Sequence, residues 1–203
     1  MNDGDTFVRQ GLRFKVRIKP DNYAEAPWKR EDGHGPVRTV YSYHGFPAKR
    51  AGERILHSSR GMYWLYDWQT AIRTAIKDGW GVSEEARNRI RRELKMTGND
   101  TVRSAAAMAV YEDEQRLRRW LTDDWCYVGV IIVLLDADGE ETDKLESVWG
   151  IESDADAYIT EIAYDLADGI ITPKLKTWRA ALIERRETRD LQRLAATMAG
   201  VFA

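Results

Sequence analysis

Residues 125–149 read WCYVGVIIVLLDADGEETDKLESVW. From Trp125 to Leu135 the segment is apolar and rich in Val and Ile. A run this short does not reach the ~20 apolar residues of a membrane span, and its β-branched content favours a strand. Apolar groups on both faces predict a central strand covered on both sides. Asp136 to Gly139 spells a turn, and Thr142 to Trp149 predicts the antiparallel strand that returns beside it. A buried strand of this kind needs a sheet around it and helices over it, so the segment commits the chain to a mixed architecture.

Upstream, LRFKVRIK alternates Leu12, Phe14, Val16 and Ile18 with Arg13, Lys15, Arg17 and Lys19. In a strand this puts four apolar groups on one face and four cations on the other. The PDNYAEAPWKREDGHGP stretch after it is loop-forming, and Val37–Tyr43 and Glu53–His57 predict two more strands. From Asp67 the period changes. Trp68, Ala71, Ile72, Ala75 and Ile76 mark one face of a helix with Asp67 as N-cap and Gly79 beyond its end. Ser83 starts a second helix closed by Gly98, and Thr101 caps a third that reaches about Leu121. The apolar face of that third helix is interrupted by Glu112 to Arg116, which predicts a bend or an overhang. Ser153 caps a helix ended by Gly169, and Thr172-Pro173 opens a long last helix. The expected fold class is α+β, with short antiparallel sheets, about five helices and a long C-terminal helix. It is read as one compact domain of three regions: a basic β-then-helical part at 1–120, an acidic hairpin-plus-helix module at 121–172, and the last helix at 173–203.

With 203 residues, 43% hydrophobic and 32% charged, the composition is that of an ordinary globular protein. The N-terminal MNDGDTFVRQ lacks a basic segment followed by an apolar one, so no signal peptide is expected and the place of action is taken as the cytoplasm, without a membrane. Cys126 is the single cysteine and is expected to sit inside the apolar strand as a small hydrophobe.

Catalytic patterns are missing. There is no GxSxG elbow, phosphate loop or dinucleotide turn, and His34, His44 and His57 lack metal-ligand spacing. In DADG the glycine comes fourth, where a calcium loop needs it sixth. Tyr63, Trp64, Tyr66 and Trp68 are read as core packing at a helix entrance before they are read as base-stacking groups. If distant residues assemble a site, His34, Ser58, Ser59 and Arg60 are the first to consider. The expectation is a protein with no catalytic residues, no metal and no cofactor.

Charge is the informative property. The net charge is −2, yet residues 121–172 hold 14 acids against Lys144 alone. Such crowding raises the energy of the compact state, and three partners would relieve it: a basic surface on another protein, divalent cations, or the cationic arms of the same or a neighbouring copy. The expected partner-binding residues are Asp123, Asp124, Asp136, Asp138, Glu140, Glu141, Asp143, Glu146, Glu152, Asp154 and Asp156. The cationic row of LRFKVRIK has three readings, in order of preference: a charged edge strand or solvated face, docking onto the acidic module, and contact with phosphates. The last supplies an alternative function, nucleic-acid binding through Arg13, Lys15, Arg17 and Lys19 with Arg87 and Arg91 of the second helix.

LYDWQTAIRTAIKDGWG (65–81) and the segment from Trp125 to Asp154 resemble stretches of small accessory proteins encoded by tailed bacteriophages and prophages. The resemblance carries no catalytic motif. It implies an accessory protein acting inside a bacterium, of the kind that blocks host defence, CRISPR complexes or restriction enzymes included, by occupying surfaces made for nucleic acid. The leading expectation is a non-enzymatic inhibitor whose acidic surface binds a host protein complex with a basic surface. The last helix is expected either to pack across its own sheet, the preferred reading, or to protrude in part and support a homodimer.

Overall fold

The computed structural model describes residues 1–30, 34–95, 100–173 and 177. In chain order the elements are β1 (Thr6–Arg9), β2 (Leu12–Pro20), α1 (Pro27–Arg30), β3 (Val37–Tyr41), β4 (Glu53–Ser59), β5 (Met62–Asp67), α2 (Trp68–Asp78), α3 (Glu84–Leu94), α4 (Asp100–Leu121), β6 (Tyr127–Leu135), β7 (Glu141–Glu152) and a helix α5 over 156–173. Five helices among the described residues and two small antiparallel sheets make the fold α+β.

Packing divides the chain into two compact units, residues 1–22 with 127–203, and residues 23–126. The boundaries drawn from charge at 120 and 172 are therefore not those of packing. The acidic module belongs with the N-terminal strands, because β2 pairs with β6 along its length, from Phe14 opposite Leu134 to Pro20 opposite Val128.

Unit 1 is a four-stranded sheet, β1-β2-β6-β7, with α5 on one face. Phe14, Val16, Val130 and Ile132 are fully buried, and α5 lays Ile159, Ala163, Ala167 and Ile171 against them. Alanine at the contact lets the helix approach closely, and each large apolar side chain removed from water contributes roughly 1.5–3 kcal/mol. Phe7 stacks on Phe14 with centroids 5.5 Å apart and meets Tyr164 edge-on at 5.3 Å. β1 was not foreseen, since four residues are too few to show a period. Its turn to β2 is Gln10-Gly11 with φ of 49° and 80°, the left-handed pair that a tight hairpin requires.

Two expectations for this unit change. β2 is an inner strand, so its cations do not protect an edge. Gly169 does not end α5, which continues through it to 173; burial of Ile170 and Ile171 offsets the ~1 kcal/mol that a helical glycine costs. Thr172-Pro173 thus lies in α5 and does not open a new helix. The rest of the long last helix, with the packing or homodimer expected from it, lies outside the described residues.

Unit 2 is a three-stranded sheet, β3-β5-β4, sharing a core with α2 and α4. Asp67 caps α2 by accepting from the Thr70 amide at 2.9 Å, and Gly79 ends it at φ 74°. Ser83 caps α3, but Lys95, at φ 53°, ends it before Gly98, which lies outside the described residues. α4 begins at Asp100, so Thr101 is a buried residue within the helix and not its cap. The MYWLYD segment, expected as a helix entrance, is the central strand β5. Cys126 is exposed, because β6 starts one residue later. Finally, α4 does not overhang at Glu112–Arg116: Asp113 and Glu114 turn inward, 7% and 3% exposed.

Candidate functional site

Part of the acidic set lies on the β6–β7 hairpin, whose second strand is the outer strand, and so one margin, of the unit 1 sheet. At the β6–β7 turn the Asp136 carboxylate accepts from the amides of Asp138 at 3.0 Å and Glu140 at 2.9 Å, so the tip is closed by its own first side chain. Asp138, Glu140 and Asp143 stand exposed around it. Then β7, the outer strand, carries exposed Glu146 between Leu145 (51% exposed) and Trp149 (48% exposed). Trp149 lies over Gly129, where a Cβ would come within 2.4 Å of its ring, so the missing side chain is what seats the indole. Glu152 closes β7, and Asp154 and Asp156 follow it into α5.

Three predicted residues are not part of this margin. Asp123 and Asp124 belong to unit 2, where Asp124 accepts from the Thr122 hydroxyl at 3.1 Å. Glu141 is engaged inside unit 1, by Lys15 at 3.1 Å and by Arg17. The cationic row is thus docked onto the acidic hairpin: Arg13 donates to the carbonyls of Asp136 at 3.1 Å and Ala137 at 2.8 Å. Lys19 remains exposed. Arg87 and Arg91 lie on α3 of unit 2, where Arg91 donates to Asn88 at 2.7 Å and the buried Arg87 Nε finds no acceptor among the described residues. The six cations of the alternative reading are split between the units, and three of the four in unit 1 are occupied by their own hairpin.

These pairings govern the response to acid. Hydrogen bonding from Lys15, with the charge of Arg17, holds the Glu141 carboxyl below its ordinary range; Arg9, bonded at 2.6 Å, does so for Asp168. In unit 2 Arg38 does the same for Glu53 against the opposing effect of burial. A folded pKa below the unfolded one means the stability is complete above the ordinary carboxylate pKa of about 4 and is lost as pH falls through the folded value. Melting temperature should therefore fall on acidification below about pH 4. Arg9→Leu should flatten the share of that fall owed to Asp168, and an unchanged pH profile would count against the pairing.

Unit 2 holds a buried polar cluster that the sequence reading passed over. Asp113 accepts from the Gly35 amide at 2.8 Å and the Tyr66 hydroxyl at 2.6 Å, and His34 Nδ1 lies 2.5 Å from its other oxygen. Burial, then the charge of Asp113, pushes the Tyr66 phenol far above its ordinary pKa, so it stays a donor. Glu114 accepts from the Trp68 indole and from Arg118 Nε at 3.1 Å, while Arg54 stacks over the Trp68 ring at 3.7 Å. The signal was in the spacing. Asp113 and Glu114 stand where the stripe Ala106, Val110, Leu117, Leu121 calls for apolar residues.

An imidazole held by a buried carboxylate is a competent base in principle, but the expected companions are elsewhere. Ser58 and Ser59 pair with Tyr63 and Met62, at the opposite end of β5 from Tyr66 and His34. His57 packs on Trp64 at 5.7 Å and His44 lies in the exposed loop after β3. Among the described residues no three His, Cys, Asp or Glu side chains group as metal ligands do. Trp64 and Tyr66 pack in the core, in line with the packing reading. No family model, curated protein or solved structure matches the chain.

Proposed function

We propose that the chain is a non-enzymatic binding protein that engages a basic partner along the acidic margin of unit 1. The observation that supports this reading is the β6–β7 hairpin: Asp138, Glu140, Asp143 and Glu146 stand exposed on a backbone fixed by its own hydrogen bonds, beside two half-exposed apolar side chains. Carboxylates on a firm strand repel each other, and an approaching cationic surface relieves the repulsion and is steered by it. Leu145 and Trp149 supply the apolar contact that charge alone does not give. An outer strand can, besides, receive an extended segment of the partner by backbone pairing. In the bacteriophage setting implied by the resemblance, the partner is a nucleic-acid-binding component of a host defence complex, and the outcome is inhibition.

The test compares the protein with a variant carrying Asp136→Asn, Asp138→Asn, Glu140→Gln and Asp143→Asn, each immobilised and challenged with the polyanion-binding fraction of a bacterial lysate. Asparagine at 136 keeps the acceptor that closes the turn, and Glu141 is left in place because it holds Lys15 and Arg17. The native protein should retain a basic partner at low salt, and the variant should hold it about tenfold more weakly. Equal retention by both overturns the proposal.

A further inference from the structure

Three aromatic side chains near one end of the unit 2 sheet stand in solvent, Tyr41 at 61%, Tyr43 at 82% and Phe46 at 81% exposure. Aromatic rings are large apolar groups, and a monomer rarely leaves several uncovered side by side without a use for them. Here the backbone gathers two of them. Tyr41 ends β3 opposite Met62, and the next amide, Ser42, donates to the Gly61 carbonyl at 2.8 Å. That bond draws the Tyr43 ring alongside Gly61, within 3.7 Å of where a Cβ would stand. Phe46 meets the Tyr63 ring edge-on at 6.0 Å. Tyr43 and Phe46 thus stand by the end of the β4–β5 hairpin, whose Arg60-Gly61 turn, with φ of 48° and 80°, holds the exposed Arg60 at its tip, whereas Tyr41, paired with Met62 and not with Tyr63, is on the other face of the sheet.

The charge of this region is one-sided. Between residues 37 and 66 the sequence has Arg38, Lys49, Arg50, Arg54 and Arg60 against a single acid, Glu53; Arg38 holds Glu53 at 2.7 Å and Arg54 pairs with Glu114 at 3.4 Å, which leaves exposed Lys49, Arg50 and Arg60 as the cations of the loops. His44 lies in the same loop as Lys49 and Arg50.

We infer that this end of unit 2 binds single-stranded nucleic acid, with bases stacked on Tyr43 and Phe46 and phosphates drawn to Arg60 and the loop cations. Rings with free faces accept any base and cations track the backbone, whereas a duplex keeps its base faces hidden. An anionic membrane fits less well, because the exposed loop carries tyrosine hydroxyls and no exposed Leu, Ile or Val that would insert among acyl chains. The site is separate in sequence and charge from the acidic margin of unit 1, and either stands without the other.

The experiment is fluorescence anisotropy of the full chain with a labelled oligothymidine of about ten to fifteen nucleotides, with the duplex of mixed sequence and anionic phospholipid vesicles as separate arms. The native protein should bind the single strand, more weakly as salt rises. Tyr43→Ala with Phe46→Ala should lower affinity at least about 25-fold, taking the low end of the five- to 150-fold per stacked ring. Tyr43→Phe, which keeps the ring, should retain binding. The residues changed are exposed, and circular dichroism checks that the variants fold. No binding at low salt, equal binding of duplex, binding of vesicles in place of the oligonucleotide, or unchanged affinity in the double variant would each overturn the inference.

Discussion

Asp113→Ala is expected to destabilise unit 2 by ~3–5 kcal/mol, the range for removing one member of a buried charged cluster. The carboxylate is the shared acceptor for the Gly35 amide, the Tyr66 hydroxyl and His34, and Tyr66 is fully buried. Alanine leaves the buried Gly35 amide and Tyr66 hydroxyl without an acceptor, at roughly 1–3 kcal/mol apiece, while the half-buried His34 turns in part to water. Against a typical total of roughly 5–15 kcal/mol, such a loss is severe. Urea unfolding followed by tryptophan emission reads it directly, because Trp28, Trp64, Trp68, Trp80, Trp120 and Trp125 all belong to unit 2. The control is the preceding residue: Glu112 forms an exposed ion pair with Arg89 at 3.0 Å, and Glu112→Ala should cost no more than ~0.5 kcal/mol. If the two variants unfold at the same urea concentration, the cluster does not hold the unit.

Phe14→Ala should cost unit 1 ~3–5 kcal/mol by leaving a cavity between sheet and helix. Phe14 is fully buried on an inner strand, stacked on Phe7 and opposite Leu134, so no neighbour can fill the space without moving the β2–β6 ladder. The acidic hairpin depends on that ladder, since Arg13, Lys15 and Arg17 reach it from β2. Hydrogen exchange of the β6 amides is the suitable readout. Val8, 65% exposed on β1, gives the comparison, and Val8→Ala should change little. Equal effects would mean the sheet–helix core is not where unit 1 gets its stability.

What was legible in the sequence follows from how locally each feature is encoded. β6, the hairpin, α2 and its caps were readable because period, turn residues and capping residues lie within a few positions of one another. β5 was not: Tyr63, Trp64, Leu65 and Tyr66 are apolar in both phases of a strand and of a helix, so no period separates the two. The partner of β2 was hidden for another reason, since its pairing to β6 spans the whole of unit 2 and nothing local names it. The charge count located the acids in the chain but not in space. Only the strand order places Glu146 and Trp149 on an outer strand and Glu141 within reach of Lys15 and Arg17. For the same reason the aromatics singled out at 63–68 were mostly core, while Tyr41, Tyr43 and Phe46 had no period to betray them.

The central claim is that a basic partner sits on the acidic margin of unit 1, and hydrogen exchange of the protein with and without its captured partner tests it most directly. Exchange should slow at the amides of β7, from Glu141 to Glu152, and at the tip from Asp136 to Glu140, and this slowing should disappear at high salt. Unchanged exchange along β7 with the partner bound, or protection confined to unit 2, would contradict it.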